Sequence, residues 1–239
     1  MKHATALIIG AFTLAFASTA GADATFTYEL TEADGKKTVK TFSTARFYVR
    51  IDDAADDKRY LLFEAGKFIP LYAVDQAEST YTQLTQDVIP YMGPETEAKK
   101  KADAHESKVA PVEKAPRPVF KPTSKKKTVA GVRCRVVHEM TGDKPAVEHC
   151  MANSATLNIT DREVITMTRT FSMARDHKFD WLAVGTEDEE FISVQSRDLN
   201  DNRVFKLTSV DNKPLKQGYL RIPREYKKVE AGKQAAATE

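Results

Sequence analysis

The chain has 239 residues, with 36 lysines and arginines against 34 aspartates and glutamates, 41% hydrophobic residues and two cysteines. That length supports one large or two small domains with a real core. The near-balance of charge excludes a surface organised as a whole around nucleic acid.

The first 22 residues place Lys2 ahead of an uncharged apolar run from Ala4 to Ala17, followed by small residues ending in Ala20-Gly21-Ala22. This is the order of a secretory signal peptide with an A-x-A cleavage pattern before Asp23. The competing reading, a buried N-terminal helix, does not account for the charge, the run and the small residues in that order. The run is shorter than the roughly 20 residues a membrane-spanning helix needs. No cysteine follows it to carry a lipid anchor, and no later stretch is long and apolar enough to span. The expectation is an exported, periplasmic protein, cleaved near Ala22, with no transmembrane segment in its mature chain.

Residues 23–94 read as the first part of an antiparallel meander. "ATFTYEL", "KTVKTF", "ARFYVRI", "KRYLLFE", "KFIPLYAV" and "STYTQL" are short, rich in β-branched and aromatic residues, and separated by polar or glycine turns. Side chains alternate with period two, so turn positions decide which residues share a face. With residues 52–57 as a loop and Ala65-Gly66 and Gln76-Ala77 as two-residue turns, Phe47, Val49, Tyr60, Leu62, Ile69 and Leu71 fall on one face. Ile51, Ala73 and Leu84 join them. Tyr48, Tyr72 and Tyr81 fall on the other face with Leu61, Phe63, Phe68 and Pro70, beside Arg46, Arg50 and Arg59. A sheet with one solvated face alternates apolar with polar; here both faces want cover. One can pack on a helix. The other is the second side of a core, a cavity lining or a partner's surface.

The loop "DDAADD", residues 52–57, is acidic but lacks the glycine and terminal glutamate of an EF-hand loop. It reads as a solvated turn rather than a cation site. Residues 95–127 hold four prolines, ten basic and five acidic residues, with Phe120 as the lone aromatic. Such a segment cannot bury enough apolar surface to offset the entropy of ordering, so it is expected to be a disordered insertion. Its interspersed glutamates favour a linker over a basic arm for lipid, cell wall or nucleic acid.

Residues 128–228 continue the same domain. "VAGVRCRVVHEMTGDKPAVEHCMA" contains Cys134 and Cys150, and a hairpin centred on Gly142 would set them opposite one another. Opposed strand residues lie close enough for a disulfide, and an exported pair should be oxidised. A metal site fails on spacing: His138 lies four strand residues from Cys134, and His149 points to the opposite face. No Cys-x-x-Cys redox pair is present. Next, Thr160-x-x-Glu163 forms a capping box ahead of Val164, Ile165, Thr168, Phe171 and Ala174 at helical spacing, predicting a helix over 160–176. Two further strands, "EEFISVQSRD" and "RVFKLTSVD", flank a turn at Asn200-Asp201-Asn202. "GYLRIPREYKKVE" closes the ordered part, and residues 229–239 read as a flexible tail.

The chain has no Gly-x-Ser-x-Gly elbow, His-Glu-x-x-His, phosphate-cradling loop or dinucleotide fingerprint. No catalytic residue, cofactor or metal is therefore assigned.

"ARFYVRID", "LFEAGKFIPLYAVDQAESTYTQL", "VAGVRCRVVHE", "VEHCMA" and "YLRIPREYKKVE", in that order, resemble a family of exported bacterial proteins similar in pattern to the periplasmic lipoprotein carriers of LolA/LolB type. The resemblance implies an α+β fold, mainly antiparallel: a curved half-barrel with at least one helix packed in its mouth, enclosing a cavity for acyl chains. It also implies kinship with envelope sensors that bind a partner protein. A lipophilic ligand or lipidated protein would contact Phe47, Val49, Tyr60, Leu62, Ile69, Leu71 and Phe171. A protein partner would contact Tyr48, Tyr72, Tyr81, Arg46 and Arg50. A third expectation, a secreted hydrolase, requires a histidine such as His138 or His177 to meet a serine and a carboxylate in a cleft.

Overall fold

The computed structural model describes residues 23–64, 70–84, 119–176 and 190–230. The leader, residues 95–118 and 231–239, and the expected positions Phe68, Ile69, His105 and His177 lie outside the described residues. Among the described residues, twelve strands make one open sheet. The N-terminal half holds β1 (Ala24–Thr31), β2 (Lys37–Ala45), β3 (Tyr48–Asp53), β4 (Asp56–Glu64), β5 (Leu71–Asp75) and β6 (Thr80–Gln83). The C-terminal half holds β7 (Val119–Val129), β8 (Val132–Thr141), β9 (Lys144–Asn153), β10 (Phe191–Asp198), β11 (Val204–Asp211) and β12 (Lys227–Val229). The order across the sheet is β12-β6-β5-β4-β3-β2-β1-β11-β10-β9-β8-β7. All neighbours are antiparallel except β12, which runs parallel to β6. A single turn, α1 (Ser154–Leu157), precedes the main helix, α2 (Asp161–Asp176). The sheet is curved and unclosed, and α2 packs across it, touching β2, β3 and β10.

Local chemistry explains these elements. Along β1, Ala24, Phe26, Tyr28 and Leu30 are buried while Thr25, Thr27, Glu29 and Thr31 are only partly covered, the alternation a strand dictates. At the start of α2, the Glu163 carboxylate accepts from Thr160 N at 2.8 Å and from Thr160 Oγ1 at 3.0 Å. Thr166 Oγ1 donates to Arg46 O at 2.9 Å and Thr168 Oγ1 to Phe191 O at 3.1 Å. These two threonines fasten the helix to both sides of the curve.

Three expectations require correction. First, β4 is inverted relative to the face pattern expected for it. β3 runs on to Asp53 and β4 starts at Asp56, so Val49 pairs with Phe63 and Ile51 with Leu61. Asp53 is why the turn is so short: its carboxylate accepts from Ala55 N at 2.9 Å and from Lys40 Nζ at 2.6 Å. Tyr60 and Leu62 therefore share the face of Tyr48 and Arg50, not that of Val49. A second offset, Phe63 pairing with Leu71, returns Leu71 to the inner face. Second, residues 119–127, expected to be disordered, form most of β7. They are held by a two-residue turn whose residues both have positive φ, Ala130 at 48° and Gly131 at 80°, the geometry that matches the twist of a hairpin. Composition averaged over 95–127 hid that turn. Third, Cys134 and Cys150 are not directly opposed. Gly142-Asp143 is the turn, and an irregularity beyond Met140 sets Cys150 against Val136. The two cysteines are diagonal neighbours with Cα atoms 5.3 Å apart, and they are bonded.

Candidate functional site

The inner face is filled. Tyr28 stacks on Phe205 with centroids 4.4 Å apart, both meet Phe42 and Phe171 edge-on at 5.5 to 6.4 Å, and Phe42 meets Phe171 edge-on at 5.3 Å. All four rings are fully buried, as are Val164 and Met167 beside them on α2. Tyr28 donates to Ser193 O at 3.0 Å, and burial pushes its phenol far above the usual tyrosine range. Of the residues expected to contact a lipophilic ligand, Val49, Leu71 and Phe171 belong to this packed core. Phe47 sits instead at the β2–β3 turn, 44% exposed, with the Arg162 guanidinium 4.9 Å from its ring centroid.

The outer face of β3–β6 carries a second, smaller apolar cluster of Tyr60, Leu62 and Val74, joined by Tyr72 and Tyr81. Its cover is the chain's C-terminal segment, from which Ile222 and Tyr226 pack down. Arg50 fastens that segment. Its guanidinium lies 3.7 Å from the centroid of Tyr60 and 4.3 Å from that of Tyr219, and it donates to Asp52 at 2.7 and 2.9 Å. Tyr219 closes the loop by donating to Asp52 Oδ2 at 3.0 Å. Burial raises the phenols of Tyr60 and Tyr219, and the Asp52 charge adds to both. Arg50 is thus a structural clamp between two rings. Arg46 lies elsewhere, exposed in the left-handed turn between β2 and β3, with φ 55°.

Beyond the clamp an open cleft of about 370 Å³ runs between the sheet and the C-terminal segment. The sheet contributes Tyr48, Leu62, Tyr72 and Tyr81; the segment contributes Leu220, Ile222, Pro223 and Tyr226. Arg221, Arg224 and Lys228 border it as cations, with Glu64 and Gln83 among them. Tyr72 meets Tyr81 edge-on at 5.9 Å. Tyr48 donates to Glu64 Oε1 at 3.1 Å, and burial together with that carboxylate raises its phenol; burial likewise raises Tyr72. The hydroxyls of Tyr72, Tyr81 and Tyr226 make no hydrogen bond among the described residues. Three of the five residues expected to meet a protein partner are therefore brought together here, with Arg46 and Arg50 outside the cleft. The C-terminal cover was not foreseen. The spacing of Tyr219, Leu220, Ile222 and Tyr226 within a basic stretch was the available signal.

A second depression of about 700 Å³ lies over β7–β9, lined by Lys126, Lys127, Arg133 and Arg135 with Met151 and Phe191. Lys127 is paired with Glu148 at 2.5 Å, and Arg135 lies 3.9 Å from the Phe191 centroid. β7 is an edge strand, and its lysines and Pro122 discourage pairing with other chains. In the acidic stretch 52–57, Asp52 is likewise spent locally on Arg50 and Tyr219, and Asp53 on Lys40.

His149, not His138, meets both a serine and a carboxylate. Its Nδ1 lies 2.9 Å from Ser196 Oγ and its Nε2 lies 3.2 Å from Glu139 Oε2. His149 and Ser196 are completely buried, however, and Ser196 Oγ is also 2.8 Å from Ser193 Oγ, which donates to Gln195 O. A nucleophile must be reachable; this chain of polar groups is enclosed and internally satisfied. It ties β8, β9 and β10 together beside the disulfide.

No family model matches the chain, and no curated protein matches it. Among solved structures it is similar to an uncharacterized conserved protein from Thermus thermophilus, at 5% identity and a TM-score of 0.45, over 88% of this chain and 91% of that one. It is similar to PNGF-II at 12% identity and a TM-score of 0.44, where 88% of this chain matches 31% of that one. It is also similar to MucB at 11% identity and a TM-score of 0.41, covering 87% of this chain and 59% of that one; a Pseudomonas aeruginosa MucA/MucB complex has also been solved. The chain thus spans about a third of PNGF-II and under two thirds of MucB.

Proposed function

We propose that this chain is an exported, non-catalytic interaction module of the cell envelope that engages a partner protein through the tyrosine cleft. One observation carries the reading: three tyrosine hydroxyls without partners among the described residues line an open groove on a scaffold whose opposite face is already filled. Tyrosine and arginine are enriched where protein partners anchor, because a rigid ring buries area at little entropic cost and leaves a polar handle. Export is supported by the leader-like first 22 residues and by the Cys134–Cys150 bond, which persists in an oxidising compartment. A lipophilic ligand on the inner face would have to displace Phe171 or its ring neighbours. Native mass spectrometry of protein purified from its own envelope checks that alternative: copurified lipid that survives Tyr72→Ala would favour the inner face over the cleft.

The direct test is a photo-crosslinking residue at Gln83, on the border of the cleft, in the cell that makes the protein. One defined crosslinked partner is expected, and Tyr72→Ala should abolish it while leaving thermal unfolding within about 1 kcal/mol of the parent. Equal capture by the Tyr72→Ala chain would move the interface elsewhere.

A further inference from the structure

The cleft that the proposed function uses also constrains what enters it, and the inference here rests on that reading. We infer that its occupant is an acidic, proline-rich peptide segment bound as a polyproline II helix. The usual modes of peptide capture can be compared with this groove. Strand addition needs a sheet edge of useful length, but the edge of β6 beside the cleft is taken by β12, and β12, the edge strand there, is only three residues long, Lys227–Val229. A bound amphipathic helix is about 10 to 12 Å wide and needs a continuous aliphatic trough. Here rings make up most of the apolar lining, Tyr48, Tyr72, Tyr81, Tyr226 and Pro223, and the aliphatic side chains are only Leu62, Leu220 and Ile222. A small molecule is held by enclosing most of its surface, whereas this cleft is open along its length.

A polyproline II segment fits what remains. It has no internal hydrogen bonds, so its carbonyls are free to accept. The hydroxyls of Tyr72, Tyr81 and Tyr226 are donors of the right kind. Its pyrrolidine rings lie flat on aromatic faces, and its restricted backbone loses little entropy on binding. Charge then selects among proline-rich segments. Arg221, Arg224 and Lys228 border the groove against Glu64 alone, and Glu64 already accepts from Tyr48. Acidic residues flanking the prolines complete that border. The same charge disfavours this chain's own proline-bearing stretch, residues 111–118, where Lys114 and Arg117 outnumber Glu113 beside Pro111, Pro116 and Pro118.

The test titrates the full processed chain with four synthetic probes at low salt, reading tyrosine-ring NMR shifts. The probes are an acidic proline-rich peptide, the same peptide with prolines replaced by alanine, the same with its acids replaced by lysine, and a soluble glycan oligomer. The first should bind and shift the cleft tyrosines. Both altered peptides should bind at least about tenfold more weakly, as should the first peptide to Tyr72→Ala or Arg221→Glu. No binding by the acidic peptide, indifference to the prolines, or binding of the glycan in its place would overturn the inference. If the Gln83 crosslink persists while these peptides fail, the partner-binding reading stands and only the identity of the occupant falls.

Discussion

On β3, Val49 and Ile51 turn inward to a helix while Tyr48 and Arg50 turn outward to a strap of C-terminal chain. The inner side resolves its exposure by volume. Four rings, with Val164 and Met167 of α2 beside them, fill the curve, and the Tyr28 hydroxyl there is spent on the backbone. The outer side resolves its exposure by pairing: a guanidinium between two rings, a carboxylate beneath it, and a strap that covers only part of the face. What the strap leaves uncovered is the cleft. A sheet apolar on both sides therefore need not enclose a cavity; one side became core and the other a partly finished interface.

The largest effect should come from Phe171→Ala. Removing a fully buried ring from a cluster of four should cost about 3–5 kcal/mol, read as a lowered denaturant midpoint. A loss under about 1 kcal/mol would mean that the inner side is loosely packed and free to admit a ligand. Replacing Cys134 and Cys150 together by alanine should cost about 3 kcal/mol for a loop of this size. Because the bond lies among inner-side residues, the Tyr72-dependent crosslink should survive at temperatures where the variant stays folded.

Glu163 supplies a pH-resolved version of the comparison. Burial pushes its carboxyl above its ordinary 4.5, Thr160 hydrogen bonds oppose the shift, and the charge of Asp23 adds to it. Because the folded value is raised, protonation stabilises the fold. That contribution is complete below about pH 4.5 and is lost as pH rises through the folded value. Glu163→Gln, whose amide oxygen can keep the bonds to Thr160, should flatten this part of the stability profile and be neutral or stabilising at about pH 7. Glu163→Ala loses the cap and should cost about 1 kcal/mol at the same pH. An unchanged profile in the glutamine variant would sink this assignment.

The smallest change is expected on the outer side. Tyr219→Phe keeps the ring over Arg50 and removes only the hydroxyl, with its bonds to Asp52 and Ser43, for about 1 kcal/mol. Hydrogen exchange should then quicken in residues 215–229 and not in α2. Exchange that quickens equally in both would show that strap and helix open as one unit, contrary to the division drawn between the faces.

Much of this was legible beforehand, for identifiable reasons. The helix was readable because Thr160 and Glu163 sit three apart before an apolar stripe, a purely local pattern. The staple was readable because two cysteines flank one glycine turn, and a diagonal offset still leaves them within bonding reach. Tyr48, Tyr72 and Tyr81 were grouped correctly because errors at two turns cancelled by parity. Tyr60 and Leu62 were misplaced because only one of those errors preceded them. The His149–Ser196 contact joins residues 47 apart, and no short pattern announces it.

Alternation, capping chemistry and turn residues are properties of neighbours in the chain. They determined most of the strands, the helix and the disulfide without reference to anything distant; β12 exists only through its pairing with β6. Which side of the sheet became core depended on contacts between segments far apart: α2 crossing one face, and residues 215–229 returning to lie on the other. Those choices follow from competition for the same apolar surface in three dimensions, and only the tertiary structure settled them.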